Sequence, residues 1–234
     1  MTTSLHDPGF RHHPASPGLS VSVVLFRLHD GQLEVNLSGD PEPGLPAGLP
    51  GPDESLDTAA RRIVRQVLHT NEEYMEQLYT FSPANAGERE VVISYLALLQ
   101  PQDTAHSAAD GIWRRVSQVK LANEVDQAVI DYALVRLRAK LGYTNIAFHL
   151  LPEMFTLSEL QRAYENILQH AVDKRNFRRR ILASGILSQT DQKRRDGSHR
   201  PAALYRFASR EDHTTYLTPP QPGNANPTPQ ESPR

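Results

Sequence analysis

The chain has 234 residues and a net charge of −2, with 38% hydrophobic and 22% charged residues, a composition typical of one or two folded domains. No apolar run approaches the roughly 20 residues that cross a bilayer, and the N-terminal residues lack the apolar core of a signal peptide, so we expect a cytoplasmic protein without a membrane partner. Cysteine is absent, which excludes disulfides and thiolate metal sites.

Both ends of the chain have the composition of disordered tails. Pro, His and Ser are frequent in residues 1–19, and Pro, Gln and Asn are frequent in residues 211–234. Such segments bury too little apolar surface to offset the entropy that is lost when they become ordered. We therefore expect the folded part of the chain to lie between them.

The segment after residue 19 begins with a strand pattern of apolar and β-branched residues. Asp30-Gly31 is a hairpin signal between the first two strands, and a Pro- and Gly-rich loop over residues 40–53 leads into an amphipathic helix. In chain order, the predicted elements are strands over Ser20–Leu28 and Leu33–Leu37, a helix over Glu54–Leu68, and strands over Gln77–Phe81, Glu90–Leu99 and Trp113–Val116. This order predicts an α/β domain with a mixed sheet.

A long helix is predicted over Val125–Leu141. A face this broadly apolar indicates contact with two bodies, either both domains of the chain or a second subunit. Pro152 interrupts helical continuity, so we expect a domain boundary near residues 145–152, and assign residues 20–148 to a first domain and 149–210 to a second. The apolar residues of the helix are Ile130, Leu134, Leu137 and Leu141 in one stripe, with Val125, Val129 and Tyr132 beside it.

The second domain has the element order of a winged helix. Thr156 and Glu159 form a capping-box sequence that predicts the start of a helix, and Asp173 is a favourable N-cap for another helix that ends at Ser184-Gly185. Helix, turn, helix and hairpin in succession predict the winged-helix arrangement. The hairpin strands are predicted over Ile186–Gln189 and Leu204–Phe207, with Asp196-Gly197 near the tip.

The charge of the chain is segregated, and the second domain is basic. Residues 173–210 carry eleven basic and three acidic side chains, a net charge of +8, whereas the rest of the chain carries −10. A basic region of this kind is typical of a surface that meets a polyanion.

The second helix of this domain has most of its basic residues away from the core. Phe177 and Ile181 are four positions apart and face the core, and the helix N terminus favours phosphate through its free backbone donors. We therefore expect this helix to enter the major groove of DNA and the hairpin to contact backbone phosphates. The candidate DNA-binding residues are Lys174, Arg175, Asn176, Arg178 and Arg179 on the helix, and Lys193, Arg194, Arg195, His199 and Arg200 on the hairpin.

Two segments together resemble the Nudix-related transcriptional regulators, the NrtR-like family, over about Ser20 to Phe207. The first resembles a Nudix box, because Gly48, Glu54 and Arg62 fall at the positions of the motif's glycine, glutamate and arginine. The resemblance implies a Nudix-like α+β domain with a mixed sheet, followed by a winged helix-turn-helix domain. The second segment resembles the family's winged helix more closely and comprises Phe155–Gln161, Asn176-Phe177-Arg178, Arg200-Pro201-Ala202 and Leu204–Phe207.

The box departs from the family pattern where its chemistry requires carboxylates. Nudix hydrolysis uses Mg²⁺ held by several carboxylates of one helix face, yet the motif's glutamate positions hold Ile63, Gln66 and Val67. No Asp or Glu occurs between Asp57 and Glu72, so another register does not restore the site. We therefore expect no catalysis by the usual route, no bound metal and no cofactor.

Two interpretations remain open for the box residues. Gly48, Glu54, Arg62 and Gln66 are candidates for a remnant effector pocket. Alternatively, Glu54 and Arg62 brace a loop against the helix.

The resemblance implies an operator-binding regulator, a repressor of genes of NAD or nucleotide-sugar metabolism. Its implied partners are a double-stranded DNA operator and an ADP-ribose-like nucleotide effector, and we expect a homodimer that engages two half-sites. One alternative is a Nudix hydrolase of nucleoside diphosphate derivatives with atypical metal ligands. Another is a protein-interaction module whose basic face is solvated surface.

Overall fold

The structure is a computed structural model that describes residues 18–39, 41–68, 74–82, 90–101, 112–142, 144–195 and 201–208. The strands are β1 (Gly18–His29), β2 (Gln32–Leu37), β3 (Ala47–Gly48), β4 (Tyr74–Phe81), β5 (Glu90–Leu99), β6 (Ile112–Arg115), β7 (Leu187–Arg194) and β8 (Ala202–Phe207). The helices are α1 (Leu56–Leu68), α2 (Glu124–Leu141), α3 (Leu157–Leu168) and α4 (Lys174–Ala183), with 3₁₀ helices at Val116–Gln118 and Ile146–Leu150. Among these described elements, no helix is long and apolar enough to cross a membrane.

Strands β1 to β6 form one mixed sheet. The strand order is β4-β5-β1-β2-β6, with β3 paired to β1, and β1 runs parallel to β5 but antiparallel to β2. Alternate residues of β1 serve the two faces, because successive side chains of a strand point in opposite directions. Val21, Val23 and Leu25 pack with α1, and Val24 and Phe26 pack with α2. The predicted α/β class with a mixed sheet is confirmed.

The predicted Asp30-Gly31 turn joins β1 and β2. Asp30 has a φ of 49° and Gly31 a φ of 71°, the left-handed conformations that a two-residue hairpin turn requires. The register pairs His29 directly with Gln32 on either side of the turn. The tip of this hairpin lies beside α3 of the second domain.

The first strand begins earlier than the sequence predicts. Gly18 and Leu19 lie inside the predicted N-terminal tail, yet they pair in parallel with Glu90 and Val91 of β5, which extends β1 to Gly18. The prediction that residues 1–19 form a tail is therefore wrong at these two positions. The remainder of both predicted tails lies outside the described residues.

The start of the box helix also differs from the prediction. Helix α1 begins at Leu56 rather than Glu54. Ser55 Oγ accepts a hydrogen bond from the Thr58 N–H at 3.2 Å and satisfies one free donor of the first turn. Glu54 is thereby left outside the helix.

Two strand boundaries depend on tertiary contacts. Strand β4 begins at Tyr74 rather than Gln77, and Glu76, whose charge disfavours a strand, forms an ion pair with Lys140 of α2. The two-residue strand β3 lies in the predicted Pro- and Gly-rich loop, where it pairs with β1. Neither boundary is encoded by the local sequence pattern.

Helix α2 packs against both parts of the chain. It contacts β4 of the sheet and α3 of the second domain. One continuous apolar cluster joins it to the sheet, to α3 and α4, and to the end of β8. The broad apolar face of α2 is therefore covered by the sheet on one side and by the winged-helix elements on the other. The buried residues of α2 are Val129, Ile130, Ala133, Leu137 and Leu141.

The junction between the two domains is buried. Phe148 and Leu150 of the 3₁₀ helix lie in the shared cluster. Phe207 of β8 packs against Phe148 and Phe155, with ring centroids 5.4 Å and 5.1 Å apart. The predicted boundary between residues 148 and 149 falls inside this 3₁₀ helix, and the division into two domains stays a prediction.

Both helices of the second domain begin where the sequence predicts. The Thr156 hydroxyl accepts from the Glu159 N–H at 3.2 Å, and the Glu159 carboxylate accepts from the Thr156 N–H at 2.7 Å, so the capping box is complete. Asp173 Oδ1 accepts from the Asn176 N–H at 2.7 Å and caps α4.

The hairpin β7–β8 is fixed to the start of α3. Phe155 and Tyr205 exchange two backbone hydrogen bonds, of 3.0 Å and 2.8 Å, which form an isolated β-bridge between the hairpin and the residue before the α3 cap. Strand β7 extends to Arg194, beyond the predicted end at Gln189. The predicted tip at Asp196-Gly197 lies outside the described residues. The winged-helix prediction is confirmed.

Candidate nucleic-acid interface and ligand pocket

Helix α4 presents basic side chains at an exposed N terminus. Ile181 is buried, and the ring of Phe177 packs edge-on against Tyr164 of α3 with centroids 5.2 Å apart. These contacts orient the helix so that Lys174 and Arg175 are exposed in its first turn. Positive side chains there add to the free backbone donors and the dipole, which together favour phosphate.

Asn176 and Arg179 lie one turn apart on α4. Arg179 Nη2 donates to Asn176 Oδ1 at 2.6 Å, and the Arg179 side chain is exposed. An amide and a guanidinium are the groups that read base edges in the major groove through paired hydrogen bonds. The structure therefore brings together two of the predicted DNA-binding residues.

Arg178 is placed differently from its neighbours. Its Nη2 donates to Ser158 Oγ at 3.0 Å, and its Nε is buried without a hydrogen-bond partner among the described residues. The side chain thus lies between α4 and the start of α3. Its contact with DNA stays a prediction.

The basic residues of the hairpin also differ from one another in exposure. Lys193 and Arg195 are exposed, whereas Arg194 is half-buried and forms an ion pair with Glu159 of α3. The predicted contacts of His199 and Arg200 lie outside the described residues.

Glu54 and Arg62 of the box form a hydrogen-bonded ion pair. Arg62 donates two hydrogen bonds of 2.9 Å to the Glu54 carboxylate and one of 2.9 Å to the backbone oxygen of Leu49, and Glu54 also accepts from the Gly51 N–H at 2.9 Å. The bonds from Arg62 and then from Gly51 lower the pKa of Glu54 to about 2, and the bond to Glu54 raises the pKa of Arg62. These contacts link the loop to α1, and the effector pocket at the same residues stays a prediction.

The box positions that the structure describes do not form a metal site. Ile63 and Val67 are buried against the sheet, and Gln66 is exposed. Gly48 lies close to α1, since a Cβ there would be 3.6 Å from Ile63 and 3.9 Å from Arg62. In the described part of the chain, no group of three or more His, Cys, Asp or Glu residues could hold a metal. The residues present therefore do not fit the Mg²⁺ that a Nudix box implies.

Sequence reasoning missed a cleft between the two domains. It has a volume of about 700 Å³, and its walls include His29 and Asp30 at the hairpin tip and Glu159 and Arg162 of α3. No local pattern indicates this cleft, because its two walls are far apart in the chain and meet only through the shared core.

Comparison with known proteins identifies the family. Residues 147–207 match the model of the NrtR DNA-binding winged helix domain. The chain is 34% identical over 212 residues to the ADPR responsive transcriptional repressor NtrR of Acinetobacter baylyi, a match that covers 82% of this chain and 83% of that protein. The chain belongs to the NrtR family of transcriptional regulators. The predicted resemblance is thus confirmed.

Solved structures agree with the NrtR fold. NrtR of Shewanella oneidensis, crystallised with a 27mer DNA, matches with a TM-score of 0.71 and 32% identity, covering 81% of this chain and 93% of that chain. A MutT/nudix family protein from Enterococcus faecalis matches with a TM-score of 0.60 and 20% identity, covering 86% and 91%, and supports the fold alone. The predicted NrtR architecture, a Nudix-like domain followed by a winged helix, is confirmed.

Proposed function

We propose that this chain is a transcriptional repressor that binds an operator through α4 and the hairpin β7–β8. This proposal rests on the N terminus of α4, which is exposed, capped and basic. The winged helix that holds α4 shares its core with the rest of the molecule. The Shewanella relative was crystallised with a 27mer DNA, and the Acinetobacter relative is a repressor.

The proposed contacts are of two kinds, to base edges and to backbone phosphates. Arg175, Asn176 and Arg179 read base edges, because their side chains combine the donors and acceptors that the major groove presents. Lys174 contacts a phosphate at the helix N terminus. Arg178, whose Nη2 also donates to Ser158 of α3, is a further proposed DNA contact. The hairpin contributes phosphate contacts from Lys193 and Arg195, together with His199 and Arg200.

Replacement of Arg179 by Ala tests the base-reading role. We expect the variant to lose about 1–3 kcal/mol of binding free energy on the operator and to discriminate less between operator and random duplex. The control is Arg65→Ala, which removes an exposed arginine from α1, a helix whose apolar cluster is separate from that of the winged helix. Fluorescence titrations of both variants on both duplexes measure the difference. Equal operator affinity for wild type and Arg179→Ala would show that this residue does not read the operator.

We further propose that the Nudix-like domain binds an ADP-ribose-like effector and does not hydrolyse it. The Acinetobacter relative is ADPR responsive. Gly48, Glu54, Arg62 and Gln66 are the proposed pocket residues, and Gln66 is exposed about one helical turn after Arg62 on α1. Hydrolysis lacks support because apolar Ile63 and Val67 cannot coordinate a hard cation.

One experiment separates the sensor from the hydrolase. Purified protein is incubated with ADP-ribose and Mg²⁺, the nucleotide is followed by chromatography, and operator affinity is measured in parallel. We expect intact nucleotide and a changed operator affinity, with a weaker response in Gln66→Ala than in the Arg65→Ala control. Metal-dependent turnover that disappears in Glu54→Gln would favour the hydrolase alternative.

A further inference from the structure

The ion pair between Glu159 and Arg194 ties the hairpin to the first helix of the winged helix. Arg194 ends β7, and its Nη2 lies against Oε2 of Glu159, with side-chain exposures of 36% and 29%. The same carboxylate accepts from the Thr156 N–H at 2.7 Å and from the Thr156 hydroxyl at 3.0 Å. Arg194 is therefore joined to a carboxylate that the capping box already orients.

The environment keeps this carboxylate charged. Burial raises the pKa of Glu159, but the hydrogen bonds from Thr156 and Arg194 outweigh it, and the pKa is lowered on balance. A phosphate that approaches Arg194 must compete with a negative charge already in contact. Strand neighbours point to opposite faces, and Lys193 is exposed where Arg194 is not. Adjacent basic residues of the hairpin thus have different surroundings.

Glu159 also reaches the cleft between the domains. Its side chain and that of Arg162 form the α3 wall of this cleft, and the hairpin tip at His29 and Asp30 forms the facing wall. One carboxylate therefore lies between the Nudix-like domain and the basic hairpin.

We propose that Glu159 is a positioning residue for DNA binding, which holds the hairpin against α3 through Arg194 and keeps Arg194 out of the set of side chains that contact phosphate. The proposal rests on the proposed function, because it concerns the hairpin of an operator-binding domain. It assigns Lys193 and Arg195, rather than Arg194, to the phosphates.

Two neutral substitutions and one control test the proposal. Glu159→Gln removes the charge that faces Arg194 but retains a residue type that suits a capping box. Arg194→Gln removes the other partner. The control is Glu153→Gln, which removes an exposed carboxylate of the same domain for which no contact is described. Circular dichroism first verifies that each variant is folded, and each is then titrated on operator and random duplex over a series of salt concentrations.

The two variants have different expected signatures. Both lower the preference for operator over random duplex, by up to about fivefold, because the hairpin is no longer held in place. Glu159→Gln also makes the slope of log affinity against log salt concentration more negative by about 0.9, because Arg194 gains access to phosphate. Between about 50 and 200 mM salt, this variant therefore loses about threefold more affinity than wild type. Arg194→Gln leaves the salt slope unchanged.

Other outcomes would overturn the proposal. A salt slope that falls by about 0.9 in Arg194→Gln would make Arg194 a phosphate contact in the wild type. A Glu159→Gln variant that behaves like Glu153→Gln would remove any positioning role.

A measurement without DNA separates this proposal from the proposed function. Hydrogen exchange of the β7 and β8 amides should be faster in Glu159→Gln and Arg194→Gln than in wild type and Glu153→Gln. If wild type binds no duplex at low salt, the proposed function fails. Unchanged exchange in both variants, with duplex binding intact, rejects the positioning role alone.

Discussion

At the scale of single residues, the ion pair of Glu54 and Arg62 makes the free energy of unfolding depend on pH. The pKa of Glu54 falls from 4.5 to about 2 because of the bonds from Arg62 and Gly51. A lowered pKa contributes stability above the unfolded value, and this contribution is lost as the pH falls from 4.5 towards 2. We expect the free energy of unfolding of wild type to fall more steeply over this interval than that of Glu54→Gln. Urea unfolding at a series of pH values measures the slopes.

A neighbouring carboxylate provides the control for this measurement. Asp53 is exposed next to Glu54, and no contact of its side chain is described. Asp53→Asn should retain the wild-type slope. If Glu54→Gln and wild type lose stability in parallel, the brace contributes nothing to pH sensitivity.

Individual residues show what sequence can and cannot predict about the site. The loss of carboxylates at Ile63 and Val67 is visible in the sequence, and the structure places both in the core. The sequence shows the charges of Arg178 and Arg194 but not their side-chain partners. Their partners, Ser158 and Glu159, are 20 and 35 positions away in the chain.

At the scale of the element, the capping box of α3 supports both the helix and the hairpin. Thr156→Ala removes the hydroxyl that accepts from the Glu159 N–H, and we expect a loss of about 1 kcal/mol in the free energy of unfolding. Chemical denaturation measures this loss. The control, Thr80→Ala, changes an exposed threonine of β4 and should cost less. Equal costs would show that the box does not limit stability.

Elements with strong local signals were predictable, and those that depend on partners were not. The hairpin turn at Asp30-Gly31 and the caps at Thr156 and Asp173 follow from local backbone chemistry. Strand β3 has two residues and no pattern of its own, so only its pairing with β1 reveals it. The early start of β4 likewise depends on a partner from α2, because Glu76 needs Lys140.

At the scale of the whole molecule, we expect a homodimer. The inner face of α2 is used by the chain itself, and its outer face leaves Val135 and Tyr132 exposed by 61% and 39%. Tyr132 stacks with Tyr79 of β4 at 5.0 Å, so the apolar patch continues onto a strand at the sheet edge. Light scattering at micromolar concentration should give twice the chain mass. Val135→Lys should lower the measured mass to that of one chain.

The dimer prediction has a matched control. Leu49→Lys also places a charge on an exposed apolar residue, but in the loop before α1. It should leave the mass unchanged. A wild-type protein that is monomeric both free and on the operator would contradict the prediction.

The overall architecture was predictable, but the way its two parts join was not. Element order and two motif segments indicated the Nudix-like domain and the winged helix. The sequence predicts a boundary near Pro152, whereas Phe148, Phe155 and Phe207 pack into a common core there. Such packing depends on residues that are distant in the chain, so the hydrophobic periodicity of the sequence does not predict it.

Helix α2, which lies in the core of both parts, also restricts how this chain can change in length. An α-helix advances about 1.5 Å and turns about 100° with each residue. One residue inserted between Ile130 and Ala133 would leave the first half of α2 in place and turn Leu137 and Leu141 away from their contacts. Loops absorb insertions at little cost because their ends stay where they are. The 18 residues of α2 cannot, so we expect this helix to tolerate neither an insertion nor a deletion.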